Sequence, residues 1–233
     1  MDFAYEDFNQ AEEYFRADGL QQWEEIEEIL REAPLFMQSS DQAGRIGSPI
    51  FDPKATNAYL CLESQERGWR VIPVPEELRS FGVDWDAGKG ATLVEWQFSN
   101  YPFLWNNVIR SEAVHNSEIV LPGMHPIKAL IIVTKSGLLP ASNSTLYYEQ
   151  GRAQLRTVTA FGAFSLPIRL VGLTIANRVS SVGAIWSEYA NPRYDRTPLN
   201  QTHRTIQIRW RDQERQYGTP IASFQLQAQH QIE

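Results

Sequence analysis

Cysteine is nearly absent: Cys61 is the only one in 233 residues. No disulfide can form within the chain, and a core of this size needs none. The count fits a reducing, intracellular setting. The four histidines are scattered without metal-ligand spacing, so no zinc site is expected. There is no Gly-rich phosphate loop, which argues against a nucleotide cofactor. No apolar run approaches the length needed to cross a bilayer, and residues 1–33 are too acidic and polar for a signal peptide. A membrane partner is not expected.

Positive charge is scarce at first sight. The net charge is −7, which alone argues against a nucleic-acid binder. Its distribution reverses the argument. Residues 1–33 hold eleven carboxylates against only Arg16 and Arg31, so the rest of the chain carries a small positive excess. Arg193, Arg196, Arg204, Arg209, Arg211 and Arg215 gather late in the chain with His203. Phosphate attraction acts over roughly one Debye length, about 10 Å, so a local basic surface can coexist with a negative total. The same arginines also suit a plain solvated surface.

What is present is a globular composition, 42% hydrophobic and 21% charged, and enough chain for one sizeable domain. Trp23, Ile26, Ile29 and Leu30 form an apolar stripe at helical spacing within residues 22–33, and Pro34 ends it. Residues 39–53 are mostly turn-forming, and 57–67 suit a short helix. A strand is expected at 92–98, a helix at 101–115, a buried strand at 128–134, a helix at 142–158 opened by a Ser/Asn cluster, and another buried strand at 167–175. This order predicts an α/β fold: a mixed central sheet flanked by helices, with some parallel pairing. Short β-prone pieces such as residues 205–210 predict a smaller appended C-terminal β-rich subdomain. The expected division is 1–175 for the α/β core with an acidic N-terminal helix. Residues 176–233 would supply loops and the appended β-structure, within one structural unit. Trp85, Trp96, Trp105 and Trp186 read as packing residues.

The stretch GVDWDAGKGATLVEWQF at 82–98 carries the chemistry. It reads as a carboxylate, Asp86, before a tight turn, then a strand bearing Glu95. Side chains alternate along a strand, so Glu95 and Gln97 share one face, while Val94, Trp96 and Phe98 share the other. Two carboxylates converging at a strand end suit a hard divalent cation such as Mg2+, which can activate water against a phosphodiester. Asp86 is the main candidate ligand, with Glu95 and the backbone carbonyl of Trp96 beside it. Gln97 can orient water but cannot titrate. The general base is then Glu95, a hydroxide on the ion, a substrate phosphate oxygen or bulk water. By itself the spacing equally suits a solvated strand edge, and Asp84 competes for the place given to Asp86.

The surroundings are more specific than the motif. SDQA at 40–43, GS at 47–48, IFDP at 50–53, LVE at 93–95, QFSNYPFL at 97–104, NN at 106–107 and RSE at 110–112 fall in one order with PASNS at 140–144, LYYEQ at 146–150, PIRLVGL at 167–173, RY at 193–194 and RT at 196–197. Over roughly residues 20 to 197 the chain resembles the BglII-type restriction endonucleases of the PD-(D/E)xK nuclease superfamily. No resemblance can be placed on the last 35 or so residues.

The resemblance implies a homodimeric type II enzyme of the prokaryotic cytoplasm that wraps double-stranded DNA. Asp86 would bind Mg2+ (with Mn2+ as a substitute), and Glu95 and Gln97 would stand beside the attacking water. The family's glutamine in place of the superfamily lysine is matched by Gln97. An asparagine of the family, just before its Ile-Pro-x-Pro stretch, is replaced here by Val71. Base reading would fall to Ser99, Asn100, Asn143, Ser144, Tyr194 and Arg196. Their chemistry suits it: asparagine bonds adenine bidentately, serine serves either partner, and arginine favours guanine or phosphate. The implied target is a palindromic GATC-core site, A^GATCT, cut to leave GATC 5′ overhangs. The competing readings are a sequence-specific DNA-binding protein without cleavage, a related nuclease of relaxed GATC-core specificity, and a structure-specific nuclease on the same core.

Overall fold

Residues 129–135 are buried along their whole length, and they form the centre of the molecule. The computed structural model describes residues 1–117, 119–141 and 145–227. Its elements are β1 (Asp2–Phe8), α1 (Ala11–Arg16), α2 (Leu20–Glu32), β2 (Phe36–Ser39), β3 (Pro49–Phe51), α3 (Pro53–Glu66), β4 (Arg70–Pro73), β5 (Asp84–Lys89), β6 (Thr92–Trp96), α4 (Pro102–His115), β7 (Ala129–Lys135), α5 (Tyr148–Ala160), β8 (Ile168–Thr174), β9 (Ser181–Glu188), β10 (Asn200–Arg215) and β11 (Thr219–Leu226).

Six strands make the main sheet in the order β1-β8-β7-β6-β5-β4. β6, β7 and β8 run parallel, and the outer pairings are antiparallel. The mixed sheet flanked by helices is therefore as expected. Its central strands alternate between two apolar cores. Leu93, Leu130, Ile132, Ile168 and Leu170 face Leu104 and Val108 of α4 and Leu155 of α5. Val94, Trp96, Ile131, Val133, Val171 and Leu173 face Phe15 of α1 and Trp23, Ile26 and Leu30 of α2. Each fully buried aliphatic side chain contributes about 1.5–3 kcal/mol, so β7, with Leu130, Ile131, Ile132 and Val133 all sealed, anchors the sheet.

β1 was not expected, because its acidic sequence has little strand character alone. Arg169, nearly buried on β8, fixes it: the guanidinium bonds Asp7 of β1 at 2.7 and 2.6 Å and lies within 4.5 Å of the rings of Tyr5, Phe15 and Trp23. The second sheet has the order β11-β10-β9-β2-β3. Its C-terminal strands are the β-rich addition that was expected. However, it also recruits β3 from the stretch read as mostly turn and β2 from the residues just before it, because β2 finds a parallel partner in β9 far along the chain. The helix expected from residue 142 starts at Tyr148 instead. Thr145 and Tyr147 are drawn into β-bridges with Asn100 and Lys135. That bridge sets Thr145 beside the end of the strand that carries Glu95.

Candidate active site

β5 and β6 form a hairpin, with Ala87 opposite Val94 and a left-handed Gly90 (φ 62°) in the turn. The hairpin brings Asp86 beside the far end of β6. Asp86 Oδ2 accepts the backbone N–H of Trp96 at 2.7 Å. Glu95, only 4% exposed, points to the face opposite Val94 and Trp96 and pairs with Arg110 of α4. Gln97 is held at both ends of its amide. Its Oε1 accepts from Asn107 Nδ2 at 2.9 Å, and its Nε2 donates to Ser99 Oγ at 2.8 Å and to the Asn100 carbonyl at 3.3 Å. The side chain expected to orient water is thus bonded to a candidate base reader.

Burial raises the proton affinity of Asp86, against the lowering effect of the Trp96 N–H and Arg110. Burial raises that of Glu95 much further, against the attraction of Arg110. The two carboxylates are adjacent, and among the described residues the cation paired with Glu95 is the Arg110 guanidinium. This pair fits a divalent cation, whose charge would relieve both groups. Among the described residues no three His, Cys, Asp or Glu side chains gather. The donors available to an ion would therefore be two carboxylates and a backbone oxygen, a hard and sparse set of the kind magnesium accepts. The Trp96 carbonyl accepts one bond from the Phe98 N–H at 3.2 Å and keeps a second lone pair. Asp84 is exposed at the start of β5.

These groups open into a cleft of about 860 Å3 lined also by Lys54, Cys61, Ser99, Asn107, Arg196 and Thr197. Cys61 is an inert neighbour there, because burial pushes its thiol up to about 11. Ser99 and Asn100 are exposed just beyond β6. Arg196 reaches the same cleft from the loop between β9 and β10, and Tyr194, 69% exposed, stands on that loop. Asn143 and Ser144 lie outside the described residues, next to Thr145, which pairs with Asn100. Val71 is half-exposed on β4 and is not among the side chains that line the cleft.

Sequence reasoning gave no role to Arg110, Asn107 or Lys135. Asn107 and Arg110 stand three apart on α4, a spacing that puts both on one helix face toward Gln97 and Glu95. That spacing was the available signal. Lys135 gives none locally. It ends a buried strand, and its ammonium bonds the Phe98 carbonyl at 3.3 Å, the Leu146 carbonyl at 3.4 Å and the Thr145 hydroxyl. It thereby ties the end of the catalytic strand to the segment after Ser144. Burial pushes it down to about 7.

Residues 3–173 match the family model described as restriction endonuclease BglII/BglIII. The chain is 46% identical over 194 residues to the type II restriction enzyme BglII of Bacillus subtilis, covering 82% of this chain and 84% of that one. The crystal structure of restriction endonuclease BglII complexed with a DNA 16-mer matches with a TM-score of 0.88 at 38% identity, over 97% of this chain and 100% of that one. The structure of free BglII matches with a TM-score of 0.70 at 34% identity, over 95% and 100%. The structural likeness therefore extends past residue 197, where the sequence offered no match.

Proposed function

The chain belongs to the BglII/BglIII restriction endonuclease family, and from that premise we propose that it makes a magnesium-dependent double-strand cut in duplex DNA at A^GATCT, leaving GATC 5′ overhangs. The observation that carries this reading is the convergence of Asp86, Glu95 and Gln97 with Ser99 and Arg196 in one cleft.

Asp86, Glu95 and the Trp96 carbonyl would hold the ion. When bound, Mg2+ lowers the pKa of water and offsets the negative charge that develops on the phosphate. Gln97, fixed by Asn107 and Ser99, orients the attacking water through an amide that cannot take its proton. Glu95, whose proton affinity burial raises against the attraction of Arg110, is a carboxylate of the cleft that can accept that proton. Arg110 holds Glu95 in place and limits how far its affinity rises. Ser99, Asn100, Asn143, Ser144, Tyr194 and Arg196 read bases. The Gln97–Ser99 bond links readout to the placement of water, so a wrong base at Ser99 disturbs the water as well.

A palindromic site presents the same half-site twice. A two-fold dimer supplies two such clefts, one for each strand. The matching complex with DNA supports duplex DNA as partner, and a bacterial relative supports a prokaryotic cytoplasm as the setting. Incubating the protein with Mg2+ and a plasmid carrying AGATCT tests the reading. Discrete fragments are expected, and their absence across a range of enzyme and salt refutes it.

A further inference from the structure

The first turn of α3 breaks a local rule. A lysine there meets the positive end of the helix dipole, yet Lys54 occupies that turn, which has no acidic residue. Its ammonium is directed onto the loop between β9 and β10. It donates to the Pro192 carbonyl at 2.8 Å and the Asp195 carbonyl at 2.8 Å, and it rests 3.4 Å from the centre of the Tyr189 ring. Tyr189 is held in turn, because its hydroxyl donates to Asp52 Oδ2 at 2.8 Å. The other oxygen of Asp52 caps α3 by accepting the N–H groups of Lys54 and Ala55.

The loop that Lys54 grips is also closed on itself. The Asn191 N–H donates to the Asp195 carboxylate at 2.7 Å, and the Asp195 N–H donates back to the Asn191 carbonyl at 2.9 Å. Lys54 therefore holds carbonyls on both sides of Tyr194, one of them in the residue before Arg196. It also lines the cleft that contains Asp86 and Glu95. A departure from local preference with so specific a set of partners marks a functional constraint.

We propose that Lys54 is a positioning residue for sequence readout, setting the 191–196 loop so that Tyr194 and Arg196 meet base edges in register with the catalytic carboxylates. The inference rests on the reading of this loop as a base-reading segment. A loop fixed beforehand avoids the ordering cost that a free loop meets on binding. A lysine acting only as a charge for phosphate would strengthen binding to every duplex alike. Two donors of Lys54 are instead spent on the loop's own carbonyls.

The test compares kcat and KM for a duplex carrying AGATCT with duplexes changed at one base pair, at fixed salt and Mg2+. The intact protein, Lys54→Met, Lys54→Gln and Lys54→Arg are assayed side by side. The expected result is that the preference for AGATCT falls about tenfold in the Met and Gln variants, the scale of one lost base contact. Lys54→Arg, which keeps charge and donors, recovers most of it. An unchanged preference in folded Met or Gln variants overturns the proposal, including the case where every duplex is cut more slowly by one factor. Loss of folding in both, seen by circular dichroism, makes Lys54 a stability element and also overturns it. Failure of the intact protein to cut AGATCT is a different pattern, and it brings down the functional reading itself.

Discussion

Half-buried Asp86 and buried Glu95 lie next to each other at the end of a hairpin, with Arg110 as the balancing cation. On the proposed reading, removing Asp86 takes away an ion ligand and leaves the proposed base-reading side chains in place. Asp86→Ala is expected to lose cleavage by at least about a thousandfold, the scale for removing a group that acts on developing charge. It should keep AGATCT-specific binding in a gel shift, and unchanged cleavage would remove Asp86 from the mechanism. Lys135 gives a pH signature. In the unfolded chain a lysine keeps its proton to about pH 10.4. In the folded protein burial brings it down to about 7. Between those values unfolding takes up a proton, so its cost to stability is full below about pH 7 and is relieved as pH rises. The slope for one proton is at most about 1.4 kcal/mol per pH unit. Denaturant unfolding at pH 7 and pH 9 should show stability rising more in the intact protein than in Lys135→Met, and equal slopes would contradict the assignment. At this scale the pattern of Glu95 and Gln97 on one face and Val94 and Trp96 on the other was legible, since it needs only strand alternation. The partners Arg110, Asn107 and Lys135 come from other elements, and strand alternation says nothing of them.

Helices with a strong local signal were legible as elements. Trp23, Ile26, Ile29 and Leu30 of α2 are buried on one side, as their spacing predicts. α3 was placed too late, because its true start is signalled by a cap and a proline rather than by apolar spacing. Asp52 accepts the Lys54 and Ala55 N–H groups, and Pro53 follows it. Asp52→Ala therefore removes a helix cap and also the partner of the Tyr189 hydroxyl. A stability loss of about 2 kcal/mol is expected in urea unfolding, and a change within about 0.5 kcal/mol would show that the cap is idle. The start of α5 was misplaced for another reason. Thr145 and Tyr147 pair with Asn100 and Lys135, and a local helix signal cannot register partners ten or more residues away. The same holds for β1 and β2, whose partners β8 and β9 come far later in the chain.

For the whole molecule, the separation of charge read from the sequence has a structural counterpart. All the acidic residues of the first 33 positions but Asp18, which lies in the turn between α1 and α2, sit on β1, α1 and α2, which cover one side of the main sheet and its β8 edge. Arg196, Arg209, Arg211 and Arg215 are exposed on the β9–β10 loop and on β10. One apolar core runs continuously from the main sheet to Ala184, Trp186, Ile206, Ile208 and Phe224 of the second sheet. The sheet that carries the proposed catalytic carboxylates and the sheet next to the arginine-rich loop thus share one packed core. The most direct measurement is sequencing of the ends produced when the protein, with Mg2+, digests a plasmid holding AGATCT. The account predicts a break after the first A on both strands, leaving GATC 5′ overhangs at every AGATCT. Ends that scatter without a GATC core, or ends at GATC sites regardless of the outer base pair, would contradict it.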